Sequence, residues 1–515
     1  MQKFLSRFGP LVSGVLSGFD RLIFRGYLRR LCYPEGLEGF LAYRDICRKD
    51  FGDRAEQWTE LTKELSLKPA LEQGVHFEHV TSGSIDKGAI AQRILQEKDN
   101  AVGPLCVLTA TEPCTIWNVH RSKKLQRIVF DRRQGRCQHI YHYINHAELG
   151  LIHVRLQTWL PYEIQVYANG REWLGRQMQR AGMRFTKNDN CFPWIEDVEA
   201  AQKLMNGLIK VRWQQLLDGL AQQINPALAQ ILDGFHVPYY WVGHQTELAT
   251  DVMFNDPEEL THLMPSIVRH CMEQLHSDDV FQFLGKKLHA NFEGEVLTKY
   301  RRRAEGECIK FMVENNWLKL YQKLLWILRI ETTINFAKFF PVMRTADGQG
   351  PASKKLRPLR KSICDLGLRA NVSQAANKRL LDNLSVIADP TKVKDLVDRI
   401  TSPTELAGRR VRGIQPWSKP DLEILSTVAD GAFLLHGFRN RDIVSRLYHE
   451  PAKDDAERKR RSARVSRLLR LLRAHRIVEK VARTHRYLLT KDGTSILAAI
   501  LGTRELPLSA IKQAA

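Results

Sequence analysis

The stretch Glu457-Arg-Lys-Arg-Arg-Ser-Ala-Arg-Val-Ser-Arg-Leu-Leu-Arg-Leu-Leu-Arg473 decides how the C-terminal part of this chain folds. Val465, Leu468, Leu469 and Leu472 recur at i, i+3, i+4 and i+7, the spacing of one apolar stripe on a helix. At about 100° per residue the opposite face carries Lys459, Arg460, Ala463, Arg467 and Arg470. Such a helix buries one side and presents a row of cations on the other.

The flanking residues extend the pattern. Upstream, Leu422, Ile424, Leu425, Val428 and Ala429 predict a helix closed by Gly431. Asn440 is placed to cap a second helix over Arg441–Tyr448. Downstream, Ile477–Val481 and Tyr487–Thr490 read as strands joined by Arg483-Thr484-His485-Arg486. Three helices followed by a basic-tipped hairpin, over residues 420–502, resemble the winged helix-turn-helix family of DNA-binding domains. The resemblance implies duplex DNA as partner. It places the third helix, with Lys459, Arg460, Arg467 and Arg470, in the major groove, and the wing residues Arg483, His485 and Arg486 on phosphate.

Composition agrees with a polyanionic partner. In 515 residues, 78 Lys+Arg stand against 57 Asp+Glu, a net charge of +21. Neutralised phosphates release counterions, which favours binding. No apolar run is long enough to cross a membrane, and Asp20, Arg21 and Arg25 interrupt the N-terminal apolar segment before it resembles a signal peptide. Nine scattered cysteines without a Cys-x-x-Cys pair read as reduced thiols, so the expected location is cytoplasmic.

The length predicts several domains and the fold class is α+β multidomain. Residues 1–135 read as a mixed α/β domain, with a strand at Phe19–Gly26, helices at Leu37–Phe51, Gln57–Leu65 and Gly88–Glu97, and strands at Pro104–Ala110 and Arg127–Asp131. The Ser/Gly-containing loop Val80–Lys87 lacks P-loop spacing. Residues 136–345 form a central α+β domain. A basic helical linker region, residues 346–419, carries a loop over Thr345–Pro351, a helix at Val372–Ala388 and another at Val393–Ile400. Residues 420–502 are the winged-helix domain.

Within the central region, Cys137, His139, His142, His146 and His153 crowd into 17 residues. The alternation of Ile152, Val154 and Leu156 with His153, Arg155 and Gln157 predicts a half-buried strand. His-x-x-His replaces the two histidines flanking one apolar residue of HUH nucleases, so that motif is absent. A polar sheet face for nucleic-acid contact is the main expectation there, and a metal site the other: His142 and His146 would align at i, i+4 on a helix, an alignment that the strand favoured by Tyr141 and Tyr143 breaks. Glu247 and Asp251, at i and i+4, are expected on one helical turn, as a solvated face or N-terminal charge bias, with a divalent-ion site as the alternative.

Residues 317–335 predict two strands. Period two puts Lys319, Tyr321 and Lys323 on one face of the first, and Arg329, Glu331 and Thr333 together on the second. Leu324-Leu325-Trp326 stands between them, where Asp or Gly would turn more easily. Tyr-x-Lys followed by Arg-x-Glu resembles a segment of rolling-circle replication initiators. The resemblance implies that Tyr321 attacks a DNA phosphodiester, that Lys323 and Arg329 offset the developing charge, and that Glu331 holds Mg²⁺ or Mn²⁺, with His142 or His153 as further ligands. The function expected is therefore a DNA-binding protein of the mobile-element or replication-initiation type. The alternative is a non-catalytic regulator whose large N-terminal part senses a ligand or builds a homo-oligomer.

Overall fold

The computed structural model describes residues 1–289, 291–303, 306–346, 353–387, 393–430, 433, 437–481 and 484–505. Gly431, Arg483, Ala388 and most of the Thr345–Pro351 loop lie outside them. The chain divides into two compact units, Met1–Ile387 and Ala388–Ala515.

The first unit is organised by one sheet. Its strands are β1 (Val12–Leu28), β2 (His76–His79), β3 (Gly103–Ser122), β4 (Arg127–His146), β5 (Gly150–Gln157) and β6 (Ile164–Asn169). After the separate hairpin β7 (Phe185–Asn188) and β8 (Cys191–Ile195) come β9 (Tyr239–Phe254), β10 (Val296–Arg303), β11 (Gly306–Val313), β12 (Asn316–Lys323) and β13 (Ile327–Ile334). The spatial order is β10-β11-β12-β13-β9-β1-β6-β5-β4-β3-β2, eleven strands. Among the described residues, only β2 pairs in parallel, with β3. The long β1 and β9 lie side by side at the centre and tie residues far apart in sequence into one sheet.

That pairing corrects the expected boundaries. Residue 135 falls inside β4, so residues 1–135 and 136–345 share one sheet. The small hairpin β14 (Pro341–Arg344) and β15 (Lys355–Pro358), and the helix Leu366–Asn383, also belong to this unit. Sequence patterns report local periodicity, and nothing in them shows that β1 pairs with β6 and β9.

The sheet's two faces differ. On one, Leu22, Phe24, Val154 and Val166 join a core with Phe40, Trp58 and Trp213 from helices Pro34–Tyr43, Phe51–Glu72 and Trp213–Ile224. Further along, Leu318, Leu320, Leu328 and Ile330 pack with helices Pro257–Glu273 and Leu366–Asn383. Asn377 of the latter donates to the Leu248 and Ile330 carbonyls, both at 3.1 Å, and so fastens helix to sheet. By alternation the other face receives Lys319, Tyr321, Glu331, Glu247, Arg21, Tyr167, His153, Tyr141 and His139.

Two helical expectations change. The helix expected over Leu37–Phe51 stops at Tyr43, where Arg44 and Asp45 (φ 53°) break it before the long helix Phe51–Glu72. Glu247 and Asp251 sit on β9, not on a helical turn. Tyr240, Trp241, Val242 and Thr246 supply β-favouring residues there, and pairing on both edges overrides the weak helical spacing.

In the second unit, helices Lys419–Val428, Asn440–Leu447 and Asp455–Ala474 accompany a three-stranded sheet of β18 (Phe438–Arg439), β20 (Arg486–Leu489) and β19 (Val478–Lys480). A helix at Lys491–Glu505 follows. The second half of the expected linker belongs here as well. Ile400 and Ile414 are fully buried with Ile424, Leu425, Leu469 and Leu472. The chain between them forms the hairpin β16 (Thr404–Leu406) and β17 (Arg409–Val411). Arg412 donates to both carboxylate oxygens of the buried Asp421, at 2.7 and 2.6 Å.

Candidate functional site

The polar face of the sheet holds a group of carboxylates aimed by backbone geometry. Asp20 is the extra residue of a bulge in β1: Phe19 pairs with Leu248 and Arg21 with Glu247, which leaves Asp20 without a partner. A bulge puts two consecutive side chains on the same side of a strand. Asp20 and Arg21 therefore both face Glu247. Glu331 of β13 joins them, since Glu331 pairs with Ala249 and Thr333 with Glu247. One oxygen from each of Asp20, Glu247 and Glu331 lies within 4.8 Å of the others, and all three side chains are buried.

The neighbours of these acids are unequal. Arg329 is fully buried and donates to Asp251 through Nε (2.5 Å) and Nη2 (2.9 Å), and to Asp20 through Nη1 (3.2 Å). Arg171 adds a contact to Asp251 at 3.0 Å. Lys319 donates to Glu331 at 2.6 Å and stands 3.8 Å from Glu247. The Tyr321 hydroxyl donates to Glu331 at 3.0 Å. Arg21 reaches Glu247 only at 3.5 Å.

Protonation follows this division. Burial raises the Asp251 and Glu331 carboxyls, but Arg329 with Arg171 for the first, and Lys319 with Arg329 and the Tyr321 hydrogen bond for the second, together outweigh it, so both sit below the usual carboxylate range. For Asp20, burial prevails over Arg329 and Arg171, and its carboxyl is shifted up. Glu247 is shifted up by burial and then by the charge of Glu331. Burial and Glu331 also push the Tyr321 phenol well above its ordinary value. Burial is the first cause of the upward shifts of Asp20 and Glu247, and three convergent carboxylate oxygens are donors of the kind that a hard divalent cation takes.

Of the residues expected to act together, the structure does assemble Tyr321, Lys323, Arg329 and Glu331 on one face, with Tyr321 opposite Arg329 and Lys319 opposite Glu331. Two roles change. Arg329 has its donors committed to Asp251, Asp20 and the Asn190 carbonyl, so it positions Asp20 rather than facing a ligand. Lys323 is held by Asp189 (2.7 Å) and by Asn190, and anchors the β7–β8 turn over the site. Asn190 in turn donates to both oxygens of Asp20, at 2.9 and 2.7 Å.

The histidines are not brought to the carboxylates. His142 points to the opposite face, buried, with Nε2 3.0 Å from the Ser66 hydroxyl. His153 is on the polar face but stacks on Tyr167, ring centroids 5.1 Å apart and planes 3° from parallel. Alternation on β4 and β5 separates the two by face, so they cannot ligate one ion together. Burial lowers both to about 4, leaving neutral rings.

Next to the carboxylates is a cleft of about 560 Å³ whose walls include Arg21, Lys87, Tyr143, His153, Tyr167 and Lys323. Asn169 and Asn190 line it and also touch Asp20, which makes the cleft and the acidic cluster neighbours. Stacked rings bordered by cations suit a nucleobase and its phosphates. Asp20 and Asn190 were not singled out in the sequence. Asp20 lies in a strand of ordinary appearance, and only the bulge reveals its direction.

In the second unit, Lys459, Arg460, Arg467 and Arg470 are exposed on helix Asp455–Ala474, while Val465, Leu469 and Leu472 are buried. Asn440 does not cap its helix. The cap is Arg439, whose N–H donates to Asp442 at 2.8 Å, and Asn440 donates instead to the Ser462 carbonyl (3.0 Å) and Ser466 hydroxyl (2.9 Å) of the basic helix. His485 is exposed, and Arg486 opens β20 opposite Arg439. Comparisons with protein-family models, curated proteins and solved structures find no match to this chain.

Proposed function

We propose that this protein processes DNA. The second unit engages duplex through its basic helix and hairpin as a winged helix does, and the polar sheet face performs metal-dependent phosphodiester chemistry. The observation that carries the catalytic half is the convergence of the buried carboxylates Asp20, Glu247 and Glu331, one oxygen of each within 4.8 Å of the others. A Mg²⁺ or Mn²⁺ ion held there would polarise a phosphate oxygen. Tyr321 is the nucleophile candidate, and Glu331, which accepts its hydroxyl hydrogen bond at 3.0 Å, is the base placed to take the phenol proton. Lys319, bonded to Glu331 at 2.6 Å, is a cation beside the reacting groups, and the aromatic cleft receives the neighbouring base.

The burial of Tyr321 favours the second reading, a DNA-binding regulator in which these charges only hold the sheet together. A denaturing gel of labelled single-stranded DNA with Mn²⁺ separates the two. The first reading expects a covalent protein–DNA adduct that Tyr321→Phe abolishes while duplex binding stays near wild type. Absence of an adduct and of metal-dependent nicking on every substrate would leave only the regulator.

A further inference from the structure

A second cluster lies elsewhere on the sheet, in the long hairpin β3–β4. Cys114 pairs with Gly135 and Glu112 with Cys137, so the two cysteines are diagonal neighbours across the strands. Their sulfurs are 3.3 Å apart. His139, two residues beyond Cys137, projects from the same face of β4. One ligand atom from each of Cys114, Cys137 and His139 lies within 4.8 Å of the others. His139 is fully buried, yet neither ring nitrogen makes a well-formed hydrogen bond. A buried polar group without a partner is rare in folded proteins and calls for an unseen one.

We propose that Cys114, Cys137 and His139 bind a thiophilic divalent cation, Zn²⁺ in the first instance. At a Zn–S distance of about 2.3 Å and tetrahedral angles, two thiolates on one ion stand roughly 3.8 Å apart. The observed separation is close to that and well beyond a disulfide bond length. Two thiolates cancel the charge of the ion, which matters because Arg155 is nearby and already engaged with Glu112 at 3.5 Å. Neither ring nitrogen of the buried imidazole is engaged by a well-formed hydrogen bond, which leaves a nitrogen free to donate to an ion. Sulfur and imidazole donors select Zn²⁺ over the Mg²⁺ or Mn²⁺ that suit the carboxylate cluster, so the sites are chemically distinct. Three protein ligands leave a fourth position for water or another small ligand.

The test uses the full chain, purified reduced, with metal content measured after dialysis and on titration with Zn²⁺ and Co²⁺. The expected result is one equivalent bound tightly, a thiolate-to-cobalt charge-transfer band with Co²⁺, and loss of both in Cys137→Ser and His139→Gln. Zn²⁺ should also raise the melting temperature of the wild-type protein and not of Cys114→Ser, a readout that does not need the other two variants to fold. No binding by the reduced wild type, or binding unchanged in the variants, overturns the proposal. So does ready closure of a Cys114–Cys137 disulfide together with no Zn²⁺ uptake, which identifies a redox pair.

Discussion

At the scale of single residues, the carboxylate cluster is a set of charges that the fold tolerates rather than welcomes. An acid whose folded pKa exceeds its unfolded one stabilises the fold at low pH, and that contribution is lost as pH rises through the folded value. Glu247 is such a group, raised first by burial and then by Glu331. Glu247→Gln keeps its size and an acceptor for Gln245, which donates to Glu247 at 3.1 Å. The metal-free variant should therefore gain melting temperature relative to wild type as pH is raised from about 4 to about 8. Mn²⁺ should stabilise wild type near neutrality and the variant much less. A difference that is flat or reversed across that range would show that Glu247 is well compensated without metal. Little of this was legible beforehand. Glu331 stood out beside Tyr321 by its spacing, but Asp20 depends on a bulge and Asn190 on a turn folded over from another hairpin.

Among elements, the hairpin β12–β13 shows how period two reads a site. Alternation alone placed Lys319, Tyr321, Arg329 and Glu331 on one face, and the register bears that out. The turn was the obstacle, and the chain forms it by placing Leu324 (φ 53°) and Leu325 (φ 63°) in the left-handed region. That conformation costs a non-glycine residue roughly 1–2 kcal/mol. Leu324 packs against the core, which offsets its strain, whereas Leu325 is exposed. Leu325→Gly should therefore stabilise the first unit by about 0.5–1 kcal/mol after allowing for the freer unfolded glycine. Leu324→Gly should not. Denaturant melts of both variants check this, and a destabilised Leu325→Gly would mean that its side chain is buried by something else. The pair Glu247 and Asp251 teaches the complementary lesson. Four residues apart, they share a face on a helix and on a strand alike, so the shared face was legible while the element was not. On β9 they are about 13 Å apart along the strand. One therefore serves the acidic cluster and the other Arg329.

For the whole molecule, the excess of 21 positive charges and the two separate units allow the DNA-binding half of the proposal to be isolated. The sequence placed the start of the C-terminal domain near residue 420, because Thr401–Lys419 is rich in Arg, Pro and Gly and resembles a linker. Burial of Ile400 and Ile414, and the Arg412–Asp421 pair, show that the unit needs these residues. His475, at the end of the basic helix, also bonds the Arg412 carbonyl at 2.8 Å. A fragment of residues 388–515 should fold by itself, whereas one starting at Ser418 loses part of its core and should melt lower. The longer fragment should bind duplex DNA with an affinity that falls steeply with salt. Each phosphate contact contributes about 0.9 to the slope of log K against log salt. Replacing Arg467 and Arg470 by Ala should lower that slope by about 0.9 for each of the two that touches phosphate, or relax sequence preference if they read bases. Neither residue is buried, so circular dichroism of the double variant should match wild type. A double variant with unchanged affinity, slope and preference would remove helix Asp455–Ala474 from the interface. The excess charge would then have to act through the first unit.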